Sequence, residues 1–474
     1  VTTVALSLAA VLSPGCSLGT FDRTECTTSG DCRESFGFGF TCGAQGYCEP
    51  IALASRCTQV YPADLLTSSK YANAIVYGNL MDRSQVKQAA RERAARLAVM
   101  QANQAAPLEG RRFGMVFCTV EENLAFDDLT MDDAAVATAR WLTKEVGVPA
   151  IVGPSGSAST AAVYQALVGS GTVVISPSAT SATLTDLDTT NATDESPGML
   201  WRTAPSDAAQ GPAISADMSE RAINRVAIIH QTDPYGQGLA NIVSQTYGGE
   251  IELFPFLNEN ERAEAVVKVS NSSVDEVLFI ASNTDDIVAF LNGAGTTTGY
   301  ETKSIFLTDA AASRDVFVAA TSAKGLFPRI RGTRVRPLGE EFAYKTFLAS
   351  YQGEYGEKAS DFSFTAQAYD ASWLVIYGSA WSLFRSGEVN GRGIAQGMRK
   401  VSCQSDGATK PCSATSLDVI ASNWVGVVES FRTGTAVEIR GASGDLNYDL
   451  ATEETQAAIE VWIVGSDGSV GPAP

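Results

Sequence analysis

A single histidine, His230, occurs in the 474 residues. With one imidazole in the chain, Ser-His-Asp and Cys-His schemes all hang on that residue, and multi-histidine zinc sites cannot be built. His230 follows the apolar run 226–229, a place that reads as a strand end rather than as a catalytic position. Basic residues are also in deficit, with 34 Lys and Arg against 53 Asp and Glu and a net charge of −19. A chain of that sign repels phosphate backbones and anionic headgroups, so no nucleic-acid partner is expected and the charge reads as a solubility device. The P-loop pattern Gly-x4-Gly-Lys-Ser/Thr and the nucleophile elbow Gly-x-Ser-x-Gly are both missing. The run NGRGIAQG at 390–397 has no strand before it and reads as an ordinary glycine-rich loop, not a dinucleotide turn. These absences predict a protein that is not an enzyme and uses neither cofactor nor metal.

What is present begins with an apolar stretch, VALSLAAVL at 4–12, too short to span a bilayer but suited to a signal peptide over 1–15. Ser13, Pro14 and Gly15 lead into Cys16, which reads as a lipidated cysteine after processing. Removing Cys16 from the nine cysteines leaves an even set: Cys26, Cys32, Cys42, Cys48, Cys57, Cys118, Cys403 and Cys412. The first four lie in a glycine-rich segment that cannot bury a core, so it needs disulfides and an oxidising compartment. Their C-x5-C-x9-C-x5-C spacing lacks the tight C-x2-C pairs of zinc sites, and three pairings are open. Cys403 and Cys412 bracket a polar loop and are expected to close it, which leaves Cys57 and Cys118 as a pair by elimination.

From residue 71 the pattern alternates strand and helix: strands at 72–77, 113–120, 150–152 and 172–175, helices at 84–103, 132–146 and 158–168. It restarts after residue 203, with strands at 225–229, 274–280 and 303–307 and helices at 238–247 and 285–292. Short apolar strands between helices indicate parallel, doubly wound sheets, hence an α/β protein of two Rossmann-like lobes. Two further amphipathic helices, 342–355 and 365–385, have no third sheet to serve and are expected to cover the first lobe. The tail 465–474 is rich in Gly, Ser and Pro.

The segment 150–185, AIVGPSGSASTAAVYQALVGSGTVVISPSATSATLT, resembles type I periplasmic solute-binding proteins, in particular those of branched-chain amino-acid transporters. WRTAPSDAAQG at 201–211, RVAIIHQTDPYGQG at 225–238, AQAYDASW at 366–373 and GASGDLNYD at 441–449 follow in the order that family shows. A lipid-anchored cysteine-rich segment at 16–60 stands before the part that carries the resemblance, which implies a multi-strand hinge and this division: lobe 1 at 61–203, lobe 2 at 204–325, a lobe 1 return at 326–437, and a lobe 2 return with the tail at 438–474. The glycine-rich turn before residue 157 would present free helix N–H groups at strand ends, where open α/β sheets bind ligands.

Carried over residue by residue, the resemblance implies that Ser157, Ser178 and Thr180 hold the carboxylate and amine of an amino-acid-like ligand. Tyr235 matches the aromatic that closes from the second lobe, and Asn283 stands where relatives often place another aromatic. The acidic residue of amino-acid binders falls on Ala310 without a gap, with Asp309 one residue before it. At the first-lobe loop, where relatives carry an aromatic contact, Tyr77-Gly78-Asn79-Leu80-Met81 stands, and Tyr77 or Asn79 would serve in its place. The implied protein is an exported, monomeric receptor on the cell envelope, held to the membrane by its lipid alone, that passes a small polar ligand to an ABC permease. A surface sensor or interaction module on the same fold is the other reading.

Overall fold

The computed structural model of the chain describes residues 25–51, 54–188, 192–402 and 416–474. Cys16, Cys403 and Cys412 lie outside them. The cysteine-rich head is a helix, α1 (Ser29–Phe36), against a short hairpin of β1 (Phe40–Cys42) and β2 (Cys48–Pro50). Cys32–Cys48 joins the helix to the hairpin, and Cys26–Cys42 joins the segment before the helix to β1. Thr28 caps α1 in a reciprocal box with Asp31.

Lobe 1 is built on β3 (Gln59–Tyr61), β4 (Ile75–Met81), β5 (Phe113–Thr119), β6 (Ala150–Val152), β7 (Val173–Ser176) and β8 (Leu200–Arg202), in spatial order β3-β5-β4-β6-β7-β8. All pairs are parallel except the short edge strand β3, and β4 is buried along its whole length. The long helix α2 (Val86–Ala105) covers one face; α3 (Met131–Trp141) and α4 (Ser157–Leu167) cover the other. Cys57 and Cys118 are bonded, tying the start of the lobe to β5.

Lobe 2 repeats the plan with α5 (Asp207–Glu220), β9 (Arg225–Gln231), α6 (Pro234–Thr246), β10 (Glu250–Phe256), α7 (Glu259–Ser270), β11 (Glu276–Ile280), α8 (Thr284–Thr296), β12 (Ser304–Leu307), α9 (Arg314–Ala319) and β13 (Ile330–Val335). Its order is β10-β9-β11-β12-β13-β16-β17, the last two being β16 (Ile459–Val464) and β17 (Val470–Pro472), which run antiparallel. His230 sits inside β9, and burial lowers its basicity. Because β13 is a fifth parallel strand, the chain leaves lobe 2 only after residue 335, where the pattern placed the boundary at 325.

The return to lobe 1 brings α10 (Phe342–Tyr355), α11 (Thr365–Ser386), α12 (Gly391–Met398), β14 (Ser416–Asp418), α13 (Trp424–Arg432) and β15 (Glu438–Arg440). Expected as an amphipathic cover, α11 is instead buried at every residue from Thr365 to Leu383, because α2, α12 and α13 enclose it against the sheet. The glycine-rich run at 390–397 forms α12 rather than a loop. Its glycines are packing surfaces: a Cβ on Gly397 would stand 2.6 Å from Gly378 Cα of α11. Leu446 and Tyr448 still pack in the lobe 1 core, so the last crossover to β16 follows them, later than the boundary expected at 438.

The crossovers are tied together. Arg202, at the end of β8, pairs with Glu454 of the last crossover, whose carboxylate also accepts from Thr185. Asp370 of α11 accepts the N–H groups of Ala442 and Ser443 at 2.9 and 2.7 Å, fixing the GASG turn. Replacing Gly397 by alanine forces α12 off α11 and is expected to lower stability by about 1–3 kcal/mol. A denaturation midpoint equal to that of the unaltered protein would show that the two helices can separate without cost.

Candidate functional site

The carboxyl ends of β4, β6 and β7 in lobe 1 face those of β9, β11 and β12 in lobe 2, and the loops leaving them line a cleft. Local sequence sets each loop. After β6 the chain turns at Gly153, whose φ of 103° is closed to other residues and whose Cβ would meet Leu80 O at 2.4 Å. It then starts α4 at Ser157 with Gly156 as an N-cap that supplies no side-chain acceptor. The first N–H groups of α4 are therefore left to the cleft, with the positive end of the helix behind them. Opposite, Asp233 caps α6 through Gly236 N, and Pro234 occupies the first turn, which sets Tyr235 at the mouth of lobe 2.

Of the residues singled out from sequence, Ser157, Ser178, Thr180, Tyr235, Asn283, Asp309 and Ala310 all line this cleft. Ser178 Oγ donates to Ser155 O at 3.0 Å, and Ser157 Oγ accepts from Ser181 N at 3.2 Å. The acid falls on Asp309: its Oδ1 accepts from Tyr235 Oη at 2.6 Å and from Ala310 N at 2.8 Å. Asn283 presents no aromatic surface; its side chain caps α8 by accepting from Asp285 N. Tyr77 is elsewhere. It lies on the face of β4 turned to α11, fully buried, with its hydroxyl 2.7 Å from Ser379 Oγ. Asn79 is likewise buried in the strand, donating to Val152 O. Side chains alternate along β4, and residues 77 and 79 share the face that the returning helix covers.

The side chains that do stand in the expected first-lobe place come from α2: Gln85, just before it, and Gln88 and Arg91 on it, with Lys87 beside them. Lys87, 1 % exposed, donates to Ser282 O and Ala310 O of lobe 2 at 2.9 and 3.0 Å. Thr284 N donates to Gln85 Oε1, and Ser181 Oγ donates to Pro234 O at 2.8 Å, so hydrogen bonds cross the cleft on both sides. Arg91 donates from Nε to Ser363 O at 3.0 Å, from Nη2 to Ser363 Oγ at 2.9 Å and from Nη1 to Ser178 Oγ at 3.1 Å. Its guanidinium lies over the ring of Phe364, which enters α11 in a left-handed conformation.

Burial dominates the electrostatics. It lowers Lys87 to about 7, helped by the positive charge of Arg91, and lowers Arg91 to about 10. It raises Asp309, against the pull of the Tyr235 hydroxyl, the Ala310 N–H and the two cations. Asp207, which opens α5 and donates its N–H to Thr180 O at 2.8 Å, is pushed well up by burial and by the neighbouring Asp309. Neither of its carboxyl oxygens has a hydrogen-bond partner. The arrangement can hold a carboxylate at the start of α4 and an ammonium group beside Asp309. The three head sulfurs of Cys26, Cys32 and Cys42 lie within 4.8 Å of one another, but all are in disulfides, so that cluster offers no thiolates to a metal.

Comparisons with known proteins agree with this fold. A Leucine-, isoleucine-, valine-, threonine-, and alanine-binding protein of Pseudomonas aeruginosa is 27% identical over 191 residues, 39% of this chain and 47% of that protein, so the match spans about half of the relative. A branched-chain amino-acid transporter substrate-binding protein of Streptococcus pneumoniae, solved in complex with isoleucine, superposes with a TM-score of 0.63 at 21% identity, covering 84% of this chain and 97% of the other. A solute-binding protein of R. palustris in complex with benzoate gives 0.60 at 15% identity, covering 84% and 95%. Residues 84–418 match the family profile described as periplasmic binding protein, and the chain belongs to that family.

Proposed function

We propose that the protein captures a small polar solute bearing a carboxylate between its lobes, without converting it, and delivers it to an ABC permease. The observation that carries this reading is the cleft shared by both lobes: an uncapped helix start and Thr180 on one side, Asp309 held by Tyr235 on the other. Because both lobes contact the ligand, it binds the closed arrangement better and shifts the population toward it. Family membership supports an extracytoplasmic site of action, and no helix among the described residues is long and apolar enough to cross a membrane. In this reading the protein acts as a monomer attached through lipid on Cys16.

The head favours attention to a second role, as a sensor or interaction module. It is docked, not a free spacer: Thr41 Oγ1 donates to Glu145 Oε2 at 2.9 Å, and Phe38 packs into the outer apolar cluster of lobe 1. A thermal-shift screen against amino acids and small carboxylates separates the two. A ligand at a hundred times its Kd adds about 2.7 kcal/mol of apparent stability. Silence across the panel with a cooperative melt would favour the interaction module.

For any ligand so found, Thr180→Ala and Tyr235→Ala are each expected to weaken binding by about 1–2 kcal/mol or more, measured by calorimetry; unchanged affinity in both would remove the cleft from the mechanism. Lys87→Met deletes two bonds across the cleft, so the ligand-free protein is expected to open, with a larger radius of gyration in solution scattering. A radius matching the unaltered protein would mean that closure rests on other contacts. Cys16→Ser is expected to move the protein from the membrane to the soluble fraction on cell fractionation, and a protein that stays with the membrane would end the lipid proposal.

A further inference from the structure

The cleft is built for a different side chain from those of the aliphatic amino acids. Its lining contains no valine, leucine or isoleucine. An aliphatic side chain gains affinity by leaving water for an apolar wall, and here the wall is made of Gln88, Ser155, Ser178, Ser282 and the guanidinium of Arg91. Only Met131, Ala310, Tyr235 and Phe364 offer apolar surface there, and the Tyr235 hydroxyl faces Asp309.

Arg91 is the group that this lining leaves incomplete. A guanidinium has five N–H donors. Three are taken, by Ser363 O, Ser363 Oγ and Ser178 Oγ, and the other two, one on each terminal nitrogen, have no partner among the described residues. Among the described residues no carboxylate is in ion-pair contact with it; Asp309 and Asp315 act on it through space. Lys87, the second cation, donates to the carbonyl oxygens of Ser282 and Ala310 and adds positive potential beside Asp309. A buried arginine, 4 % exposed, with no carboxylate in contact and one N–H to spare on each terminal nitrogen, is suited to take a carboxylate.

We propose that the ligand carries two carboxylates. One is held at the start of α4 with Ser157 and Thr180, and the second is held by Arg91 where it lies over Phe364. The proposal rests on the solute-capture reading above and narrows it to dicarboxylic compounds, amino acids among them, Asp309 being the place for an ammonium group where the ligand has one. A leucine or isoleucine in the same cleft leaves the two Arg91 donors buried without acceptors, which costs about tenfold or more in affinity.

The test is calorimetry on the full chain with L-glutamate, L-aspartate, succinate, L-leucine, L-isoleucine and benzoate. The expected result is binding of at least one dicarboxylate at least tenfold tighter than leucine. Succinate binding as well as glutamate would support the two-carboxylate requirement and show that the ammonium place is dispensable. Arg91→Met is expected to remove the dicarboxylate preference, and Arg91→Lys to keep part of it, with melting curves confirming that each variant folds. Should either variant fail to fold, the order of affinities in the unaltered protein decides alone. Leucine or isoleucine binding as tightly as the dicarboxylates, or a preference unchanged in a folded Arg91→Met protein, would overturn the proposal and leave solute capture standing. No binding by any of the six would overturn both.

Discussion

The ammonium of Lys87, enclosed between the lobes and held by Ser282 O and Ala310 O, fixes how far apart the two sheets stand. A buried cation without acceptors is costly, so the loops after β11 and β12 must stay within reach of α2. The narrow width of the cleft follows from that constraint. So do the contact of Gln85 with Thr284 and the enclosure of Arg91 and Asp309 in one low-dielectric space. There their charges act on each other strongly, which is why burial and neighbours move all three groups from their ordinary titration ranges.

The same constraint links recognition to closure. Asp309 lines the cleft beside the two α2 cations, and Ala310, its neighbour, accepts the Lys87 bond. A change of charge at Asp309 therefore falls on the residue next to that interlobe bond. Rigidity at the back of the site comes from α11, whose first residue follows Phe364 and whose Asp370 holds the GASG turn. The front of the cleft is bridged by side-chain hydrogen bonds, while its back rests on a fully buried helix.

Much of this was legible in the sequence. The strand-helix alternation located both sheets because their central strands are continuous apolar runs, and seven of the residues carried over from the family line one cleft. The misses have physical causes. Edge strand β10 has Pro255 inside its apolar run and is exposed or half-exposed except at Phe256, and α11 is buried all round, so its periodicity said little about what it faces. The glycines of α12 look like loop formers unless a close-packed neighbour is known. At Tyr77 the resemblance pointed to an aromatic contact, but the strand's alternation turns that side chain to the core. The residues that replace it, Gln85, Gln88 and Arg91, lie at three-residue steps on one face of α2. A polar stripe of that kind is a usable signal, although it reads equally as a solvated face until the sheet end beside it is placed.

The docking of the head has a mechanical consequence. Arg33 reaches Gly147 O, Thr41 reaches Glu145, and Phe38 shares a cluster with Leu65 and Val146, so the head is part of the first lobe's rigid body. Any tether formed upstream of residue 25 therefore pulls on lobe 1 alone. If the lobes part, lobe 2, joined through the crossovers and the cleft, is the swinging jaw of a clamp mounted on the head. Opening and closing then change what the jaw shows to its surroundings while leaving the mounted half still.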